Sequence, residues 1–151
     1  MLIEMLDHHC IEQNKKAKEE EEESDHQSSI LSAYDFLYLP MDFKKRLNLG
    51  YAFVNFTSSV AAMRFYRSFD NYNWEVFQTS KICKICPARI QGKDRLIGRF
   101  KHSCFECDTD DFLPVVFSPP RNGSTSFTPP SLVGRRSISL TTTTTRSSID
   151  Q

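Results

Sequence analysis

The sequence predicts an α+β sandwich, with short antiparallel strands backed by helices on one face. Three observations predict it. Aromatic and β-branched runs at 34–40 and 50–56 have strand texture, and each is closed by punctuation: Pro40 for the first, Thr57-Ser58-Ser59 for the second. Apolar residues at helical spacing stand before and after these runs. The chain has 151 residues, 39% apolar, with mean hydropathy −0.44, which suits one domain plus tails and leaves little room for two full cores.

Residues 1–12 read as a helix already under way, with Leu2, Ile3, Leu6 and Cys10 at helical spacing and no N-cap ahead of them. Residues 13–29 read as an acidic loop insertion. Five consecutive glutamates at 19–23 repel one another and offer no apolar face. The first strand is 34–40 and the polar, basic stretch 42–48 is a loop. The second strand is 50–56, and its closing Thr/Ser cluster caps a helix that runs to Phe69. That helix carries Ala62, Phe65, Tyr66 and Phe69 on one face. A loop with Trp74 leads to a third strand near 81–91, ended by Gly92, and 94–102 is a short helix with Leu96, Ile97 and Phe100 as its apolar side. Of the 34 residues from Ser118 to Gln151, 15 are Ser or Thr and 4 are Pro, a composition that buries too little apolar area to offset its ordering entropy. The expected organisation is a folded domain over 1–117 and a disordered Ser/Thr/Pro-rich tail over 118–151.

The 19 basic and 19 acidic residues cancel, but not evenly along the chain. Residues 1–28 hold 9 acids and 3 bases, residues 29–107 hold 6 acids and 12 bases, and residues 108–151 hold 4 of each. A zero total therefore does not exclude a polyanionic partner for the basic middle. No run of about 18 apolar residues exists, so no membrane span is expected. The N-terminus has no basic segment followed by a long apolar stretch, and the 5 cysteines are an odd number. Both features point to an intracellular protein, in nucleus or cytoplasm, with free thiols.

Leu49-Gly-Tyr-Ala-Phe-Val-Asn-Phe56 matches the RNA-recognition octapeptide K/R-G-F/Y-G/A-F-V-x-F/Y at six of seven specified positions, Leu49 being the exception. In a strand, Tyr51, Phe53 and Asn55 share one face while Ala52, Val54 and Phe56 share the other. The second set packs on helices. The first set offers two rings on which unstacked bases can lie, worth about 1–3 kcal/mol per base. The same residues are good core material, so the neighbours must decide. The preceding strand carries Tyr34, Phe36 and Tyr38 at period two, although Leu37 and Leu39 share a face with Asp35 and leave its facing ambiguous. Bases flank the site: Lys44, Lys45 and Arg46 in the loop, and Lys81, Lys84 and Arg89 on the third strand. A stacking platform with a basic rim suits single-stranded nucleic acid. The candidate roles are stacking for Tyr51, Phe53 and Tyr38, polar base or sugar contacts for Asn55, and phosphate contacts for Lys44, Lys45, Arg46, Lys84 and Arg89. No cofactor is implied.

Tyr34-Asp-Phe-Leu-Tyr-Leu-Pro-Met-Asp-Phe43, Asn48-Leu-Gly-Tyr-Ala-Phe-Val-Asn-Phe56 and Ala88-Arg-Ile-Gln-Gly92 resemble the C-terminal RNA-recognition motif (RRM) of the Mei-two-like meiosis regulators. Val115-Val-Phe-Ser-Pro-Pro-Arg-Asn-Gly123 is similar, more narrowly, to the plant terminal-ear branch. The resemblance implies an RRM-like (ferredoxin-like) sandwich, no catalysis, and binding of single-stranded RNA in regulators of meiosis or plant organ initiation. In that family a strand precedes the helix that opens here at Met1. The expectation is therefore a sandwich lacking its first strand, at a cost of about 1.5–3 kcal/mol for each of its buried side chains. Pro87 stands where the family usually has an aromatic and removes a ladder donor.

Two readings compete with RNA binding. Cys83-x-x-Cys86 and Cys104-x-x-Cys107, with 17 residues between the pairs, fit a zinc-site spacing and a zinc-stabilised protein-interaction module. Against it, Cys83 and Cys86 fall in the third strand, where residues three apart face opposite sides. The other reading is a degenerate paralogue without binding activity. His8 and His9 are adjacent and fall on different faces of a helix, no nucleophile–base pair is evident, and no enzyme is predicted. The tail is the segment expected to contact protein partners.

Overall fold

The computed structural model describes residues 1–23, 29–74, 80–124 and 128–137. Helix α1 (Leu2–Glu23) leads into strand β1 (Tyr34–Tyr38) and a small hairpin of β2 (Met41–Asp42) and β3 (Leu47–Asn48). Strand β4 (Phe53–Phe56), helices α2 (Ser59–Phe69) and α3 (Lys93–Phe100) and strand β5 (Cys104–Glu106) follow. A 3-10 turn at Asp110–Phe112 precedes β6 (Val115–Arg121), β7 (Ser131–Leu132) and β8 (Arg135–Ser137). The main sheet has the order β4-β1-β6-β7 and is antiparallel throughout. β5 and β8 form a separate parallel pair. This is the α+β, RRM-like arrangement expected, with α1 as the first described element.

The aromatic run at 34–38 makes β1 the centre of the sheet, but not as a regular strand. The register shifts between Tyr34 and Phe36 on both sides, as an inserted bulge residue produces. Tyr34 therefore shares a face with Leu37, while Phe36 and Tyr38 point the other way. The expected alignment of Tyr34 with Phe36 and Tyr38 is corrected: Tyr34 is fully buried under the helices. There it joins Leu6, Cys10, Leu37, Phe65 and Phe117. Its hydroxyl donates to Asp7 Oδ1 at 2.7 Å, and Arg121 grips the same carboxylate through Nε (2.8 Å) and Nη2 (2.6 Å). Gly123, at φ +80, lies so close to α1 that a Cβ would stand 2.6 Å from the Asp7 carbonyl oxygen.

Helices cover both faces, not one. α1 and α2 pack beside Val54, Phe56 and Val115, whereas α3 sends Leu96 against Phe36 and Val133 on the opposite face. In α2, Ser58 caps the helix by accepting from Ala61 N–H at 3.1 Å, and Ala61 and Phe65 are buried. Ala62 and Tyr66, expected inward, are exposed. No helix among the described residues is long and apolar enough to cross a membrane.

Four further expectations are corrected. Residues 13–23 continue α1 instead of forming a loop, because Asn14 and Ala17 are buried, and Asn14 exchanges two hydrogen bonds with the Ser32 backbone at 2.9 and 2.6 Å. Residues 24–28 of that expected loop lie outside the described residues. The strand 50–56 starts only at Phe53, since Gly50 sits at φ +85 and its N–H bonds Asn48 Oδ1. No strand forms over 83–91. Instead Trp74 N–H and Cys83 N–H bond the carbonyls of Lys81 and Tyr72, folding this stretch back on the end of α2. Pro87 has no N–H to give a ladder, and β4 has β1 as its single strand partner among the described residues. Finally, order does not stop at 117. β6 runs to Arg121 along β1, and Val133 is buried between α3 and the sheet. Residues 138–151 of the expected disordered tail lie outside the described residues.

Candidate nucleic-acid interface

The face of β1 and β4 that looks away from α1 and α2 gathers the aromatic candidates. Tyr38 and Phe53 are cross-strand partners, with rings stacked at 6.3 Å and 11°. Tyr51, just ahead of β4, stands edge-on to Phe53 at 5.7 Å and is 52% exposed. Burial, with Tyr51 and Cys107 nearby, pushes the Tyr38 hydroxyl up, so it stays a neutral donor. The three rings expected on one surface are together.

That surface is partly roofed. Phe100 of α3 stacks on Phe36 at 6.2 Å and lies 5.0 Å from Tyr38 and 6.1 Å from Phe53. Phe53 and Tyr38 are half-buried as a result, and Tyr51 is the open ring. Lifting α3 would uncover Phe36, Leu96 and Val133, all buried. At about 1.5–3 kcal/mol per side chain that costs roughly 5–9 kcal/mol. Stacking one base returns only about 1–3 kcal/mol. The roof therefore belongs to the resting fold and bounds what a ligand can reach.

Asn55 is engaged inside the protein. Its Nδ2 donates to Asp35 Oδ1 at 2.8 Å, and the other oxygen of this buried carboxylate lies 3.4 Å from Lys93 Nζ at the start of α3. The bulge aims Asp35 at this face, and the carboxylate ties β4 to the roof.

The basic candidates separate into three groups. Lys44 and Lys45 sit exposed in the β2–β3 turn, held by their N–H bonds to Asp42 Oδ1 at 3.1 Å each. Arg46, beside them at φ +54, is committed to Asp108 Oδ2 at 2.8 Å. Lys84 lies elsewhere: it hydrogen-bonds Asn71 just past α2, in a stretch whose Ile85 packs on the helix-side core. Arg89 is exposed in the bend ahead of α3. Arg95, Arg99 and Lys101, not singled out from the sequence, are exposed on and after α3. The available signal was charge: residues 89–102 hold five bases and one acid.

The cysteines do not assemble. All are free thiols, with Cys107 buried, Cys83 half-buried, and Cys86 and Cys104 exposed. Burial raises the Cys83 and Cys107 thiols, which disfavours the thiolate that a metal needs. Among the described residues no three His, Cys, Asp or Glu side chains converge as metal ligands.

The sheet face with an octapeptide strand at its edge, backed by two helices, finds its counterpart among known proteins. A family model, RNA recognition motif 2, matches residues 13–101. The chain belongs to the RNA recognition motif 2 family. The match runs from within α1 through the β1–β4 pair and α2 to the end of α3, so the roof helix lies inside it. Similarity to individual proteins extends further. Protein terminal ear1 homolog of Oryza sativa subsp. indica is 50% identical over 135 residues, covering 89% of this chain and 19% of that protein. Protein terminal ear1 of Zea mays is 46% identical over 135 residues, 89% of this chain and 20% of its own. Meiosis protein mei2 of Schizosaccharomyces pombe is 44% identical over 84 residues, 56% of this chain and 11% of its own. These similarities support an RRM of the Mei2-like type. The chain spans about a fifth of the length of the terminal ear1 relatives.

Proposed function

We propose that the chain binds single-stranded RNA at the unroofed end of the α3-side face. Bases stack on Tyr51 and on the open flank of Phe53 and Tyr38, and Lys44, Lys45 and Arg89 meet the phosphates. The observation that carries this reading is Tyr51: an aromatic ring of the RNA-recognition octapeptide, half exposed and braced edge-on by Phe53. Its exposed face gives an unstacked base a flat surface to lie on. In the proposed pose Asn55 keeps its donor on Asp35 and offers its carbonyl oxygen to a base or sugar. The biological setting proposed is post-transcriptional control in meiosis or development, in keeping with the name of the fission-yeast relative. A fluorescence-anisotropy titration with a mixed-sequence RNA of about twelve nucleotides tests the site. Tyr51→Ala should weaken binding by about fivefold to a hundredfold, the equivalent of one lost stack. Binding unchanged by that substitution would remove Tyr51 from the site.

A further inference from the structure

Building on the RNA reading above, we infer that α3 is itself part of the binding surface. Its outward face, with Arg95, Arg99 and Lys101 and with Arg89 ahead of it, holds the phosphate backbone of the single-stranded RNA whose bases reach Tyr51. The helix has two sides. Leu96, Ile97 and Phe100 pack on the sheet, while Arg95 and Arg99, four residues apart, project together into solvent at neighbouring positions on the helix surface.

The charge on this outer side is little used inside the protein, the contact of Arg99 with the Phe100 ring apart. Several cations elsewhere are matched, Arg46 by Asp108, Arg121 by Asp7 and Arg136 by Asp110, and on α3 itself Lys93 is matched by Asp35. Among the described residues no ion pair takes Arg89, Arg95, Arg99 or Lys101. The helix dipole accounts for only part of this charge: Arg99 in the last turn complements it, whereas Arg95 in the first turn, beside Asp94, opposes it. Gly98, exposed in the last turn between the two arginines, weakens the helix further. It also leaves bare backbone, since nothing lies within 4 Å of where its Cβ would be. A row of exposed guanidinium groups with no ion-pair partner among the described residues is open to an external anion. Guanidinium groups are the side chains best matched to phosphate oxygens.

The position fits the same ligand. Arg99 Cζ lies 5.5 Å from the Phe100 ring, Phe100 lies 6.1 Å from Phe53, and Phe53 lies 5.7 Å from Tyr51. The arginine row and the open ring are thus joined by a continuous aromatic path, and one strand of RNA can lie along both.

The test is a salt series of RNA titrations on the full chain, with the same mixed-sequence RNA. Arg95→Gln combined with Arg99→Gln should weaken binding severalfold at low salt and flatten the log–log salt slope by about 1.4, or about 0.7 for each phosphate no longer neutralised. Tyr51→Ala should weaken binding and leave the slope unchanged. Arg67→Gln, on the exposed side of α2, should change neither. If the double variant matches the unsubstituted chain in affinity and slope while Tyr51→Ala still weakens binding, the α3 surface is wrong and the stacking site survives. If the unsubstituted chain binds no RNA, both readings fall. Lys93→Ala loosens the tie between α3 and Asp35, and tighter RNA binding by that variant would make α3 a displaceable lid and overturn the inference.

Discussion

The two faces of the sheet are made by the same strands and differ in what they leave open. On the α1–α2 side, Leu6, Cys10 and Tyr34 are fully buried, and the ionic cluster of Asp7 with Arg121 and the Tyr34 hydroxyl is satisfied internally. On the α3 side the core is shallower. Phe36 is sealed, but Tyr38, Phe53 and Phe100 are half-exposed, Tyr51 is open, and Arg99 lies over the Phe100 ring. The difference comes from a single bulge at Asp35, which sends Tyr34 to the first face and keeps Phe36 and Tyr38 on the second. One face is closed and the other leaves aromatic rings open, which is where the proposed RNA site lies.

Substitutions on the two faces should therefore separate stability from binding. The largest effect belongs to the closed face: Leu6→Ala should cost about 2–5 kcal/mol in urea denaturation, with RNA affinity of the folded molecules unchanged. An equal loss of affinity would join the faces into one unit. Next is the pH dependence of His9, wedged against Phe65 and Phe69, its Nε2 without a partner among the described residues. Desolvation, opposed by Glu12 and reinforced by Lys16 and Arg64, lowers its imidazole from 6.5 to about 4. The unfolded chain takes up the proton near pH 6.5 and the folded one only near pH 4. Stability should be full above pH 6.5 and fall as pH drops toward 4, by up to about 1.4 kcal/mol per pH unit. Thermal melts of His9→Leu should lose that slope. A smaller effect, about 1–3 kcal/mol, is expected for Gly123→Ala, whose new methyl meets the Asp7 carbonyl at a left-handed φ. The smallest stability change falls on the open face. Lys44→Ala with Lys45→Ala should stay within about 0.5 kcal/mol in stability, while RNA binding weakens at low salt and recovers parity at high salt.

What was legible in the sequence follows the same division. The Ser58 cap and the Leu96-Ile97-Phe100 stripe are local patterns realised where their period places them, and the alternation at 51–56 is realised as strand from Phe53 on. Features that depend on a distant partner were not legible. The bulge exists only in register with β4 and β6, so Tyr34 looked like a platform residue. Asn14 and Ala17 are too weakly apolar to extend the α1 stripe by pattern, and Asn14 is held by Ser32, eighteen residues on. The strands β7 and β8, two and three residues long, exist by pairing with β6 and β5 and leave no trace in a Ser/Thr-rich composition. For the site, Tyr51, Phe53 and Asn55 were legible as one face. The partners that change their availability, Asp35 for Asn55 and Phe100 for Phe53, were not, because the apolar stripe of α3 does not say which side of the sheet it covers.

The division between a closed and an open face is tested most directly by amide hydrogen exchange with and without saturating single-stranded RNA. The account predicts slowed exchange in β4, the β2–β3 turn and α3, with α1 and α2 unchanged. Protection concentrated in α1 and α2, with β4 and α3 indifferent to RNA, would contradict it.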